Sequence, residues 1–257
     1  MNLRFRAFGR VKAALLSLGV AALGLAGCRH DVVVVPAYPD YFPVVVGTYR
    51  TYAVVDSSWK NRVLTVADYQ LRERVTEQFA DAAGQPAYRL VRSRRATATD
   101  AWVDDSVLVA QPLPRALLLT ANNLRTVELI YPPVAGKGWN KNAFGASPDT
   151  IINLSRYYTS AVGAAYTTAP AGGQAAKIYP AAVVTYDIFS ANDNDGLRRQ
   201  SGYQQVYAQG VGRVLRRRYS YYYFYTNPDG SETNTKDKGI IQMGASRRET
   251  LVETGSF

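Results

Sequence analysis

The chain has 257 residues, with 30 Lys and Arg against 20 Asp and Glu, a formal charge of +10, one cysteine and one histidine. Four of the basic side chains lie in the first 12 residues with no acid among them, so the rest carries 26 basic against 20 acidic groups and is only moderately basic. One Cys leaves no partner for a disulfide within the chain, an ordinary zinc site draws on several Cys or His, and a Ser-His-Asp triad or a Cys-His pair would have to use the single His30, two residues from the single Cys28. The arginines are spread along the chain rather than gathered into one block, which argues against a nucleic-acid partner and favours anionic lipid or glycan surfaces.

Residues 1–27 read as an export signal. Arg4, Arg6, Arg10 and Lys12 precede an apolar run from Ala13 to Ala26. That run is shorter than the roughly 20 residues that cross a bilayer as a helix. It ends in Leu25-Ala26-Gly27-Cys28, which resembles the processing site of bacterial lipoproteins. The resemblance implies cleavage before Cys28, a diacylglycerol thioether on its sulfur and a further palmitate-type acyl chain on its amino group. Each buried methylene adds about 0.8 kcal/mol and a stable anchor takes more than one chain, so such lipids would hold the protein at a membrane without a spanning helix. Arg29 stands where some lipoproteins carry an Asp that retains them at the inner membrane, so the outer membrane is the expected location. Residues 28–40, with four valines in a row, Pro36 and Pro39, read as a tether, and residues 41–257 as a single β-rich domain.

From there the pattern is strand after strand. Tyr, Val and Thr are abundant and helical periodicity is scarce. Val44–Trp59 and Leu64–Phe79 alternate with period two, a helix being the rival reading of the second. Ala82–Pro86 reads as a hairpin connection, with strands following at 87–95, 101–110, 116–120 and 126–131 and a turn at Asn122-Asn123. After Tyr131, Pro132-Pro133, Gly136 and Gly138 mark a long connection, and strands resume at 150–158 and 183–189. Asn192–Gly196 reads as a tight Asp-Gly hairpin; placed on a calcium-loop template it puts Ala191 and Gly202 at ligand positions, so that template fails. Strands follow at 202–208, 212–225, 238–243 and 248–253, with Asn227–Gly230 a turn. The expected fold is all-β, an antiparallel meander curled into a sandwich or partly open barrel. The alternative is an α+β fold with one helix over a sheet.

Three segments, Tyr41–Tyr52, Tyr131–Asn140 and Val206–Val214, resemble conserved stretches of uncharacterised Bacteroidetes envelope lipoproteins, namely a P-x-x-x-G-x-x-x-x-Y opening strand, a P…G-x-x-W turn and a Y-A-x-G-V-G signature. Arg50 and Gln209 depart from that pattern. What the resemblance implies is a secreted, lipid-tethered β domain. On their own terms the segments are structural: Gly210 and Gly212 suit a bend, and the aromatic rings suit burial with a polar tip near a partner.

Candidates for chemistry are few. His30 sits two residues from Cys28, leaving carboxylates as the available acids and bases: Asp104 and Asp105, Asp193 and Asp195, Glu73 and Glu77. Neighbouring strand residues face opposite ways, which separates Asp104 from Asp105. The more unusual feature is Arg216–Tyr225. As one strand it would set Arg217, Tyr219, Tyr221, Tyr223 and Tyr225 on one side, and Arg216, Arg218, Ser220, Tyr222 and Phe224 on the other. The tyrosine side could stack on sugar rings, or could be cross-strand aromatic pairing. The expected function is that of a non-enzymatic, lipid-anchored envelope protein that binds a glycan or an envelope partner and needs no cofactor or metal. A carrier of a hydrophobic ligand in a barrel-like cavity is the first alternative, and a carboxylate-dependent hydrolase the second.

Overall fold

A computed structural model describes residues 40–145, 154–190 and 192–257. The leader, Cys28, His30 and the tether before residue 40 lie outside the described residues, as do 146–153 and Ala191.

Six strands follow one another as a meander: β1 (Thr48–Lys60), β2 (Val63–Ala80), β3 (Pro86–Arg95), β4 (Val103–Leu113), β5 (Ala116–Ala121) and β6 (Leu124–Ile130). Two of the connections are two-residue turns that need positive φ at both positions. Asn61-Arg62 supplies φ of 50° and 70°, and Asn122-Asn123 supplies 49° and 61°. Asn tolerates this region because its short side chain bonds locally. The stretch for which a helix was the rival reading is an 18-residue strand, β2. Among the described residues the only helical turn is a 3-10 turn at Lys236–Lys238.

The second half adds β7 (Gly138–Trp139), β8 (Arg156–Tyr158), β9 (Ala164–Thr168), β10 (Lys177–Asp187), β11 (Arg199–Ala208), β12 (Gly212–Tyr222), β13 (Phe224–Thr226), β14 (Glu232–Asn234) and β15 (Met243–Ser256). The main sheet runs β6-β5-β4-β3-β2-β1-β15-β12-β11-β10-β8-β7, with β9 on β10; β13 and β14 form a separate pair. The last strand therefore lies mid-sheet, pairing β1 on one side and β12 on the other. It joins the two halves and does not close an edge. Closure comes from the two ends of the path: the Val127 amide on β6 donates to the Lys141 carbonyl just past β7 (2.8 Å), and the Trp139 indole donates to the Val127 carbonyl (2.9 Å). The result is an all-antiparallel, nearly closed barrel.

Several local expectations are corrected. Asn192–Gly196 is not a tight hairpin, because β10 ends at Asp187 and β11 starts at Arg199. The Asp195 carboxylate instead accepts the amides of Leu197, Arg198 and Arg199 at 2.7–2.8 Å and orders a longer loop. Residues 238–242 form no strand; they leave the 3-10 turn, and β15 begins only at Met243. The strand expected over 212–225 stops at Tyr222, where the Tyr223 amide turns to the Arg198 carbonyl.

The barrel interior is layered along its axis. At the end where β1 begins, Tyr41 and Phe42 are buried with Val75, Leu90, Leu117, Leu129, Trp139, Tyr158 and Tyr207 in one apolar cluster. Phe42 meets Tyr207 edge-on at 6.2 Å. Arg50, itself buried, bonds the carbonyls of Pro43 and Val211. A Cβ at Gly212 would sit 2.6 Å from its Nε, so the glycine, with φ of 106°, is what lets the guanidinium in. The three segments that resemble the envelope lipoproteins thus converge on this plug, as packing elements.

Candidate functional site at the open end of the barrel

Above the plug lies a belt of buried charges, whose partners show which face of each strand looks inward. Glu73 on β2 accepts from Arg213 on β12 (2.8 Å), although β1 and β15 lie between these strands. Such a bond forms only across the lumen. Glu73 also pairs with Arg92 on β3 (2.5 Å), and Glu249 on β15 pairs with Arg216. On the far wall Glu128 accepts from Arg156 (2.8 Å), Gln205 (2.7 Å) and Tyr207 (3.1 Å), while Asp187 accepts from Arg156 (2.6 Å) and Lys141 (2.5 Å). Burial alone would raise the carboxyl pKa of Glu73, Glu128 and Glu249, but the facing arginines outweigh it. Arg213 and Arg92 hold Glu73 well below the carboxylate range, Arg156 takes Glu128 down to about 2, and Arg216 and Arg213 lower Glu249. These groups are locked as anions in ion pairs, whereas a hydrolase acid needs a raised pKa.

Four residues further along the inward faces of β15, β12 and β11, the side chains shrink. Ser58 on β1, Thr65 and Ala67 on β2, Ala245 on β15, and Ser201 and Ser220 on β11 and β12 occupy adjoining positions across five neighbouring strands. Side chains this small cannot fill the lumen. They line a cavity of about 690 Å³, within the usual range for small-molecule sites. Asp56, Arg247, Arg218 and Tyr203 occupy the next position down the same faces, and Phe189 and Asp193 reach the rim from the loop after β10.

Arg247 grips Asp56 through both ends of its guanidinium (2.5 and 2.6 Å), and the Tyr69 hydroxyl donates to the same carboxylate (2.9 Å). Burial would raise the Asp56 carboxyl, but its bonds to Arg247 and Tyr69 and the charge of Arg218 lower it. Burial and the bond to Asp56 together push Tyr69 up to about 12. Arg94 stacks on the Tyr69 ring at 3.9 Å. Arg218 makes no hydrogen bond or ion pair among the described residues.

The tyrosine strip singled out in the sequence is on the outer face of the same strand. Arg217 is exposed and lies 5.1 Å over the Tyr219 ring. Tyr219 and Tyr221 stack at 5.1 Å, and Trp59 meets Tyr221 edge-on at 5.2 Å. Each of these tyrosines lies over a glycine of the adjoining strand. A Cβ at Gly202 would meet the Tyr219 ring at 2.4 Å, and one at Gly244 would meet Tyr221 and its neighbouring backbone, the aromatic-over-glycine pairing that restores cover to a strand glycine. Tyr223 lies past the end of the strand and still meets the Tyr221 ring edge-on at 6.3 Å, but it is buried and its hydroxyl donates to Gln200 (2.8 Å). Tyr225 sits on β13, its ring 4.8 Å beneath Arg62. Of the other acids, Asp104 is bonded by Ser93 (2.6 Å) and Arg74 (2.7 Å), Glu77 pairs with Arg89 (2.6 Å), and Asp193 accepts from Ser190 (2.7 Å). The described residues hold no cluster of three or more His, Cys, Asp or Glu placed to bind a metal.

Of the cavity residues, the sequence singled out Asp193, as a carboxylate, and Tyr219, in the tyrosine strip. The available signal was the other side of the same strand, Arg216, Arg218 and Ser220, where a small residue follows two arginines at period two.

No helix among the described residues is long and apolar enough to cross a membrane. No protein-family model matches the chain, and no curated protein matches it. Among solved structures, a candidate exported protein with a YmcC-like fold from Bacteroides fragilis NCTC 9343 is similar at 11% identity and a TM-score of 0.42, over 85% of this chain and 100% of that one.

Proposed function

We propose that this chain is a non-enzymatic protein of the cell envelope, held at the outer membrane by lipid on Cys28, whose barrel carries a small molecule in its open end. The observation that carries the reading is the cavity of about 690 Å³ lined by small side chains on five strands, above a belt of paired charges and a packed apolar plug that close the lumen below. The anchoring half rests on the sequence at Leu25–Cys28.

Native mass spectrometry of the protein extracted from its own membranes tests the carrier reading. The expected result is a retained small molecule that is lost when Ala245→Trp fills the cavity. A wild-type protein that retains nothing and binds no amphiphile in titration overturns it. For the anchor, Cys28→Ser should release the protein from sedimenting membranes and abolish incorporation of labelled palmitate; a wild-type chain that takes up no label refutes it.

A second reading, an outer surface that binds a glycan or an envelope partner, is supported by the stacked Tyr219 and Tyr221 beside Trp59, with Arg217 at the end of the row. Stacked rings with a flanking cation suit sugar faces and acidic groups.

A further inference from the structure

We infer that the ligand of the open end is an anionic amphiphile whose carboxylate or phosphate is received by Arg218; this rests on the carrier reading above. Three observations converge on it. Arg218 projects from the inner face of β12 into the cavity, beside Tyr203 on β11 and Arg247 on β15. It has no hydrogen bond or ion pair among the described residues, whereas Arg247 at the same level is committed to Asp56 by two bonds. A guanidinium offers a planar fork of donors that fits carboxylate and phosphate oxygens pairwise, and here that fork opens on a concave wall of serines and alanines.

The charge balance below points the same way. Glu73 and Glu249 are faced by Arg92, Arg213 and Arg216, three cations for two anions, and Arg216 is the inward residue next to Arg218 on β12. Arg92 Nε and Arg213 Nε are buried there with no acceptor. Arg94 adds a further cation over Tyr69. Two acids line the cavity, and both are engaged: Asp56 by Arg247 and Tyr69, and Asp193 by the Ser190 hydroxyl. An anion entering beside Arg218 therefore gives that guanidinium the hydrogen-bond partner it lacks among the described residues. The Tyr203 and Phe189 rings and the Ala67 and Ala245 methyl groups line the same space and suit an apolar body attached to that anion.

Calorimetric titration of the full chain carrying Cys28→Ser, which has no acyl chains of its own to compete, tests this with octanoate, octyl phosphate and the neutral 1-octanol. A hydrogen-bonded charge contributes about 1.5–3 kcal/mol, so the better anionic probe should bind roughly 10- to 100-fold more tightly than octanol, and Arg218→Gln should remove that advantage while leaving octanol unchanged. Arg248→Gln, the same charge change on the outer face, should alter nothing. Preference for octanoate assigns a carboxylate ligand, and preference for octyl phosphate a phosphate headgroup. Should Arg218→Gln fold poorly, Arg218→Lys, which keeps the charge and loses the fork, should still weaken the anionic probes. If all three probes bind alike and neither Arg218 variant matters, the anion inference falls and the carrier reading stands. If no probe binds, both fall.

Discussion

Replacing Glu73 by Gln tests whether the barrel is organised by its buried charges. Glu73 is 2% exposed and accepts from Arg213 (2.8 Å) and Arg92 (2.5 Å). Gln keeps the volume and one acceptor oxygen, so what is lost is the negative charge. Arg213, equally buried, then has Glu249 as its nearest carboxylate at 3.9 Å, and Glu249 is already bonded by Arg216. Removing one partner of a buried ion pair typically costs about 3–5 kcal/mol, because the remaining charge stays desolvated. In a domain of this size that lowers the melting temperature by roughly 6–20 °C. Urea unfolding at pH 7 measures the loss directly. A buried pair is poorly screened, so the loss should persist in 0.5 M salt. Adding Arg213→Met to Glu73→Leu should recover part of it, since the fully buried cation is removed with its partner and only Arg92, which is 13% exposed, is left unpaired. A loss under about 1 kcal/mol for Glu73→Gln, or one that salt abolishes, refutes the reasoning.

Acid should unfold the barrel through the same groups. The folded-state pKa of Glu128 is lowered from 4.5 to about 2, so its stabilisation is fully present above about pH 4.5 and is lost as pH falls towards 2. The amount is about 3 kcal/mol, and Glu128→Gln should flatten that part of a pH-stability curve followed by circular dichroism. Gly244→Ala should destabilise by about 2–3 kcal/mol, because its φ is 156° and the new Cβ would lie 2.5 Å from the Ser220 carbonyl. Gly202→Ala should cost less, because the Tyr219 ring can swing away, but should change the near-ultraviolet signal of the Tyr219–Tyr221 stack; equal losses at both glycines would argue against this ranking. Tyr223→Ser should cost about 3 kcal/mol as a buried aromatic, while Tyr221→Ser should cost less and, if the outer strip binds glycan, abolish that binding on a glycan array.

Strands were legible wherever one face met solvent. β1, β3, β5 and β6 follow from alternation, and the Asn122-Asn123 turn from the tolerance of Asn for positive φ. β7 and β9 were not visible, being two and five residues long and ordered by their neighbours β8 and β10. The end of β12 was not visible either: three more aromatic residues follow Tyr222, with no local signal that the Tyr223 amide turns to the Arg198 carbonyl. The lumen was the hardest to foresee. Leu71, Glu73 and Val75 share a face of β2, which locally mixes charge with apolar residues. That mixture is explained only by Arg213, 140 residues away. The same holds for Glu128 and Gln205, 77 residues apart. Of the site, sequence offered the strand that carries it, and the tyrosine face drew attention because aromatic rows stand out, whereas a cavity is made by serines and alanines that do not.

The belt accounts for both the cavity and its charge. An apolar lumen would pack shut, since dispersion and burial favour contact everywhere. Ion pairs and hydrogen bonds to charged groups instead require set distances, and the Glu73–Arg213 pair and the Gln205 bond to Glu128 fix the separation of walls that no backbone hydrogen bond joins. With the walls held apart at the belt, the small residues beyond it, Ser58, Ala67, Ser201, Ser220 and Ala245, leave the lumen unfilled towards the open end. The far wall is balanced, with Glu128 and Asp187 facing Arg156 and Lys141, whereas the near wall has the surplus arginine. Arg218 stands one position above that surplus. Arg218, unpaired among the described residues, would hold an anion at the mouth, above a belt whose carboxylates are already claimed. On this geometry the group bound first is charged and the body that follows lies over Tyr203 and Phe189.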